Sequence, residues 1–372
     1  MPPGFLARYQ VPVILGFVAL AAYPLVPGAD PVLGQQLIPL IVYGLLALAL
    51  NVVVGYTGLL HLGIAAFFGI GAYTAGILTS RSFPFQQSFL VGAFAAVVVA
   101  AVAGVVTAAP TLRLRGDYFA LVTLGFGMIT GYLITNLDFI TEGTQGIKQM
   151  YIAALPGGTY RGTNKALDVR DWQGYPTFYY LCLAVLAGVF LLLRNLERTP
   201  LGRAWVALRE DELAAACMGL NPARLKLSAI ALSAGIAGLA GCLYATNLKS
   251  TAGPDAYGFS RSMITLCCLI LGGLASRPGV LLGTLILVGY DAILSKRIDE
   301  WLGKQLPPEM ASKSVFKMKE WSFFIFGVVL ILMMRFRPEG LIPAERQARE
   351  LHPERDEAAG EAAAKAEAGE AK

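Results

Sequence analysis

Charge is what this sequence most lacks. Asp, Glu, Lys and Arg make up 15% of its 372 residues while 56% are hydrophobic, against about 25% charged in an ordinary soluble domain. From Tyr9 to Ser80 the only formal charge is Asp30, and Ser82 to Leu112 has none. A bilayer crossing needs about 20 apolar residues, so several helices must span and a soluble globular class is excluded. Other absences narrow the chemistry. There is no G-x-x-x-x-G-K-[ST] phosphate loop, so the chain cannot hydrolyse ATP, and no H-E-x-x-H, G-x-S-x-G triad or dinucleotide fingerprint. The five cysteines have neither C-x-x-C nor Cys/His spacing, which removes a metal site and reads them as small core residues. No cofactor is expected, no enzyme activity, and no nucleic-acid partner.

What is present is a series of apolar stretches. Ten candidate spans lie near 10 to 27, 37 to 54, 62 to 80, 88 to 110, 118 to 136, 175 to 194, 226 to 248, 259 to 275, 279 to 295 and 320 to 336. The eighth and ninth are short enough to be re-entrant or broken helices. The fold class is thus an all-α polytopic membrane protein of about ten transmembrane or partly spanning helices. The first stretch leads into Pro24, Pro27 and Asp30 without a small-x-small cleavage site, and reads as a retained helix rather than a signal peptide.

Alternating sides from Arg8 gathers Arg113, Arg115, Arg198, Arg203, Arg209, Arg224, Arg277, Arg335 and Arg337 on one face, which the positive-inside bias makes cytoplasmic, with both termini. The mixed-charge stretch Lys296 to Lys319 then falls outside. So does Asp138 to Gln173, whose "TEGTQGI" and "PGGTYRGTN" read as a structured loop. Residues 1–343 form a transmembrane domain, and 344–372, rich in Ala, Glu, Arg and Lys, a charged and unstructured cytoplasmic tail.

One polar island interrupts the membrane pattern at about 196–225. There "PLG" ends an extended connection, "RAWVALREDELAAACM" offers helix formers, and Gly219, Asn221 and Pro222 stop them. The reading is one short helix from Arg203 to Met218. Ala214 to Ala216 remove bulk so that another protein can approach, and Arg209, Glu210, Asp211 and Glu212 supply polar contacts. An amphipathic connector lying on the membrane would look the same.

"ELAAACMGLN", with Glu212, Ala214, Ala215 and Gly219, resembles the EAA loop of ABC importer permeases, with the glutamate one place earlier than in the strict form. The resemblance extends in order through "LNVVVGYTGLLHLGIAAFFGIGAYTAGIL", "LRLRGDYFALVTLGFGMI", the stretch Arg198 to Ala245, "LILGGLASRPGVLLGTLIL" and "FRPEGLIP". It is that of the LivM-type permease subunits of branched-chain amino acid ABC uptake transporters, and it covers most of residues 40 to 343. It implies a type II-like permease fold in a bacterial inner membrane. The implied partners are a second, LivH-like permease subunit, two ATP-binding subunits and an external substrate-binding protein. It also assigns ATPase coupling to Arg209, Glu212, Ala214, Ala215 and Gly219. Leu59, His61 and Ile64 stand where relatives often have the Gln, Ser and His of "GQLSLGHAAFF", and Glu142 and Gln145 depart from the usual outer-loop pattern. The implied cargo is leucine, isoleucine and valine. Urea, amides or other amino acids, a self-sufficient secondary transporter, and a receptor without transport are the alternatives.

The translocation-pathway candidates are Asn51, Tyr56, His61, Tyr73 and Thr74. Asn51 in an apolar span must face protein, either lining the pathway or making an interhelical hydrogen bond. His61 at a helix start is either a hydrogen-bonded structural residue or functional. Gly55, Gly58, Gly63, Gly69, Gly71 and Gly76 permit close helix approach and a break near Tyr56 to Leu60, and Gly69 and Gly71 with Tyr73 and Thr74 give a small face carrying two hydroxyls. Gly235, Gly238 and Gly241 are expected to pack helices. Asp117 suits the positive end of the fifth span. Arg261 and Asp291 sit near or within the eighth and ninth spans, where an intramembrane charge is a functional candidate by default, although their nearness to span ends allows snorkelling.

Overall fold

A computed structural model describes residues 16, 23, 31–80, 82–111, 117–148, 150, 175–295, 297–299, 321–337 and 340–342. The expected first span, the tail and nearly all of Lys296 to Lys319 fall outside them, as does most of the loop beyond residue 150. In chain order the helices are α1 (Pro31–Leu50), α2 (Ile64–Thr79), α3 (Phe89–Thr111), α4 (Asp117–Asn136), the single turn α5 (Asp138–Thr141), α6 (Tyr175–Glu197), α7 (Pro200–Glu210), α8 (Glu212–Cys217), α9 (Pro222–Leu248), α10 (Phe259–Gly272), α11 (Arg277–Gly289) and α12 (Ser322–Phe336). Among the described residues, six helical stretches are long and apolar enough to cross a membrane, and α2 and α12 are shorter apolar helices.

α1 and α9 form the centre. Every described residue of α1 from Leu45 onward is buried, and α9 packs along it with Ser233 Oγ donating to the Ala49 carbonyl at 2.7 Å. α2 and α3 close on α9 through small residues. A Cβ at Gly71 would strike the Gly238 backbone, and one at Gly241 would strike the Phe68 carbonyl, so α2 and α9 touch backbone to backbone. The expected packing role of these glycines holds. Outward faces of α3, α4 and α12 expose Phe94, Val106, Leu121, Tyr132, Phe324 and Ile331, a surface suited to lipid or to a neighbouring apolar subunit.

Two helices begin only after the chain turns back. α1 does not stop at Leu50 but widens into a π-helical turn, Asn51–Tyr56, after which the chain runs without helix from Gly58 to Gly63 before α2 starts. Leu62 N–H donates to Thr123 Oγ1 at 3.1 Å, so this stretch climbs back beside α4. On the other side, residues 249–258 leave α9 and run back down α2. Thr251 lies against Gly76, Tyr73 Oη donates to the Ala252 carbonyl at 3.1 Å, and Tyr257 packs on Gly69. Only at Gly258 does α10 begin, and its 14 residues rise about 21 Å, short of the roughly 30 Å hydrocarbon core. The eighth span is therefore a broken helix. The ninth continues past Gly289 as a π turn, Tyr290–Leu294, which makes it a full-length element.

Four cysteines are buried as expected, but Cys217 is exposed because α8 lies on the surface. Arg261 does not snorkel: it is buried. Asp291 accepts from Ser322 Oγ at 2.9 Å, which ties α11 to α12.

Candidate functional site

The polar island is not one helix. Pro200 is the first helical residue of α7 rather than the end of an extended connection, and Thr199 caps it by accepting from Gly202 N–H. The helix breaks at Asp211, whose backbone is extended (φ −153°, ψ 111°) and whose Oδ1 accepts from Leu213 and Ala214 N–H at 2.8 and 3.0 Å. A carboxylate at an N-cap outcompetes continuation of the first helix. α8 then ends in a Schellman motif: Leu220 N–H reaches the Ala215 carbonyl, Gly219 N–H the Ala216 carbonyl, and Gly219 takes φ +83°. Asn221 caps α9, and Pro222 follows at its first turn. The Thr-Pro and Asn-Pro pairs are the same cap-and-start signal, so Asn221 and Pro222 open α9 as well as following the stop at Gly219, and Thr199 and Pro200 open α7.

α7 is fastened to the bundle. Trp205 is buried, and its Nε1 donates to the Leu225 carbonyl and to Ser228 Oγ, both at 3.1 Å. Arg209 does not face outward as expected. Its Nη1 donates at 2.7 Å to the carbonyl of Gly55, in the π-helical end of α1. Glu212 is likewise committed inside the chain, pairing at 2.7 Å with the buried Lys226 of α9. Ala215 is buried, whereas Leu213, Ala214, Ala216 and Met218 are open, with Leu213 and Met218 65% and 82% exposed. The free face of α8 is thus apolar and small, framed by a rigid cap and a rigid stop.

The end of α1 is held from three sides. Besides Arg209, Tyr56 Oη donates to Glu197 at the end of α6, and the other oxygen of that carboxylate pairs with Arg277 Nη2 at 2.6 Å. Arg277 opens α11 and lies over Phe190, 5.4 Å from the ring centroid. Asn51 Oδ1 accepts from the Ala275 N–H in the turn between α10 and α11, at 3.0 Å. This is the hydrogen-bonding reading of Asn51, with the partner in a turn rather than on a helix. Its Nδ2 has no partner among the described residues. Replacing Asn51 with leucine is expected to destabilise the fold by about 1–3 kcal/mol, because the Ala275 N–H is left buried and unpaired. A lower melting temperature of the detergent-purified protein checks it, and an unchanged one refutes it.

The structure thus brings together Asn51, Tyr56 and Arg209 and joins to them Glu197 and Arg277, which sequence reasoning did not single out as a pair. They are 80 residues apart, and the only signal was charge at span ends. The other candidates lie elsewhere. His61 is buried between Phe67 and Phe119, 5.6 and 6.1 Å from their ring centroids, and its Nδ1 has no hydrogen-bond partner among the described residues. Tyr73 and Thr74 do not form a free hydroxyl face: the first bonds Ala252 and the second its own helix at Ile70, at 2.7 Å. Among the described residues no cluster of His, Cys, Asp or Glu could hold a metal ion.

The sequence matches, over residues 33–334, the profile of a family described as branched-chain amino acid transport system / permease component. It is 36% identical over 321 residues to the high-affinity branched-chain amino acid transport system permease protein LivM of Salmonella typhimurium, covering 82% of this chain and 68% of that one. A probable branched-chain amino acid transport permease protein LivM of Methanocaldococcus jannaschii is 26% identical, with 81% and 90% covered. The autoinducer 2 import system permease protein LsrC of Yersinia enterocolitica is 24% identical over 64% of each chain. No solved structure matches.

Proposed function

Since this chain belongs to the branched-chain amino acid transport system permease family and is a multi-pass membrane protein, we propose that it is the membrane-spanning half of an ATP-driven importer of branched-chain amino acids. In this reading it sits in a bacterial inner membrane with both termini cytoplasmic and pairs with a second permease subunit. Two ATP-binding subunits dock on the 196–225 segment, and a substrate-binding protein docks near the 138–173 loop. The membrane domain takes up residues 1–343 and the tail 344–372. The chain performs no bond chemistry; it converts motion into a change of access.

The observation that carries this reading is the construction of α7 and α8. A docking face that moved independently of the bundle would transmit nothing, whereas Trp205, Arg209 and Lys226 fasten this one to α9 and α1. Displacing α8 displaces the Arg209 contact with Gly55, and with it the turn that also holds Tyr56 and Asn51. ATP-driven closing of the docked subunits would then bias the permease between two arrangements, each favoured by a different ligand state. Arg209, Glu212, Ala214, Ala215 and Gly219 serve coupling, with Glu212 and Ala215 acting from inside the chain. Asn51 and Tyr56 border the pathway at its cytoplasmic end, and His61, Tyr73 and Thr74 line or support it further in.

The test is reconstitution with a binding protein, second permease and ATPases from the same source, followed by uptake of labelled leucine, isoleucine and valine against urea and amides. Leucine-class uptake that requires ATP is expected. Accumulation by this chain alone, driven by a proton or sodium gradient, would overturn the reading, and preference for another solute would change only the cargo. Leu213 offers a cleaner probe of docking because it supports nothing inside the chain. Leu213→Glu is expected to leave melting temperature and membrane abundance unchanged while the ATPases no longer co-purify and uptake falls. Retained co-purification would show that α8 is not the docking face.

A further inference from the structure

Arg261 stands in the first turn of α10 and is only 9% exposed. Its guanidinium carbon lies 4.4 Å from the ring centroid of Tyr244, 4.7 Å from that of Phe68 and 5.1 Å from that of Tyr43. No carboxylate among the described residues pairs with it; the Tyr244 hydroxyl accepts one of its hydrogen bonds, while its Nη1 is fully buried with no partner. Asp291 is turned to Ser322 instead. Three aromatic faces offset only part of the cost of taking the charge out of water. A methionine would fill the same cage without that cost, so packing alone does not account for an arginine here.

The surroundings carry further positive potential. α10 starts at Gly258 with no side-chain cap, and α2 starts at Gly63 with none on its cap residue. The start of α2 is buried and that of α10 is open at Phe259 and Ser260, and the two meet where Ser262 Oγ accepts the Ala65 N–H at 3.1 Å. Two helix N-termini, each equivalent to about half a positive charge, therefore meet within a turn of Arg261. Broken helices that aim such ends at mid-depth are how transporters hold the anionic group of a substrate. Tyr43 and Tyr244 are half-buried, so the cage wall they form reaches the surface of the bundle.

We infer that Arg261 is an internal anion station that receives the carboxylate of the solute as it crosses, entering between Tyr43 and Tyr244. This rests on the reading of the chain as an amino acid importer, and it names the group by which the permease itself, rather than the external binding protein, holds its cargo.

The experiment uses the complete permease and ATPase complex, wild type and with Arg261→Met or Arg261→Lys. In detergent without the binding protein, leucine and isovalerate, which carry a carboxylate, are expected to raise the melting temperature, and leucinol, which lacks one, is not. Arg261→Met removes the shift. In proteoliposomes it lowers leucine uptake about tenfold or more, the worth of a charge-assisted hydrogen bond, while ATPase stimulation by the binding protein stays near wild type; Arg261→Lys falls between. Equal shifts from leucine and leucinol, or full uptake by Arg261→Met, would overturn the inference. So would loss of ATPase stimulation together with uptake, which marks a structural role. If Arg261→Met does not assemble, the wild-type comparison of carboxylate with alcohol and the Arg261→Lys uptake decide. A wild-type complex that takes up no amino acid would instead refute the importer reading.

Discussion

Gly219→Pro is expected to abolish uptake while the protein still inserts and accumulates in the membrane. Gly219 takes φ +83°, and its N–H closes the end of α8 on the Ala216 carbonyl. Proline is fixed near φ −65° and has no N–H, so both features are lost at once. A Cβ at this position would meet nothing within 4 Å, so no steric conflict is added and the damage is confined to the path of the chain. That path sets how α8 is presented, since α9 begins three residues later. Gly219→Ala separates the two effects: it keeps the N–H and pays about 1–2 kcal/mol for a left-handed residue, and so should retain part of the uptake. Uptake measured against membrane abundance checks both variants. Unchanged uptake in the proline variant would show that the end of α8 plays no part in coupling.

Gly241→Val is expected to remove the folded protein altogether. Any Cβ on Gly241 would overlap the Phe68 carbonyl and come within 3.0 Å of the Ala72 amide. Overpacking usually costs about 1–3 kcal/mol because neighbouring side chains yield. Here the obstacle is the backbone of a second helix, which can retreat only by opening the whole α2–α9 seam. The higher helix propensity of a residue with a side chain returns at most about 1 kcal/mol. Valine adds two methyl groups to the conflict. Size-exclusion profiles of a fluorescently tagged protein check it: a monodisperse peak at wild-type yield would mean that the seam is not a stability determinant. Gly188, which has nothing within 4 Å on α6, is the control, and Gly188→Val should leave the profile unchanged.

How much of this was legible in the sequence differs by element. The apolar runs located nine described helices to within a few residues, because hydrocarbon forces every backbone group into a helix and so makes length and composition sufficient. The same rule hid the interruptions. The stretches 58–63 and 249–258, the first without helix and the second with a single 3-10 turn at Pro254–Tyr257, are sheltered by Thr123, Tyr73 and Tyr257, and such tertiary partners leave no local trace. Glycines at 55, 58 and 63 mark the first break, and Gly253, Pro254 and Gly258 punctuate the second. In the island, helix propensity suggested one helix, and a single side chain, Asp211, made two. The functional candidates fared by burial. Arg209 and Glu212 were picked as outward contacts because charges are usually exposed, yet each found a partner within its own chain. For Arg261 the sequence leaves a functional charge and a snorkelling one both open, and its burial against Tyr43, Phe68 and Tyr244 decides against snorkelling.

The two helices that follow the stretches 58–63 and 249–258 also constrain how the protein is made. A helix that crosses in one piece can leave the insertion machinery with its hydrogen bonds already satisfied. Residues 58–63 and 249–258 cannot, because Leu62 depends on Thr123, 61 positions later, and Ala252 on Tyr73, 179 positions earlier. The first stretch has to wait for α4 to emerge, and the second must find α2 already seated. Biogenesis of this chain therefore has an order: α4 precedes closure of the first stretch, and a seated α2 precedes that of the second, on which α10 follows.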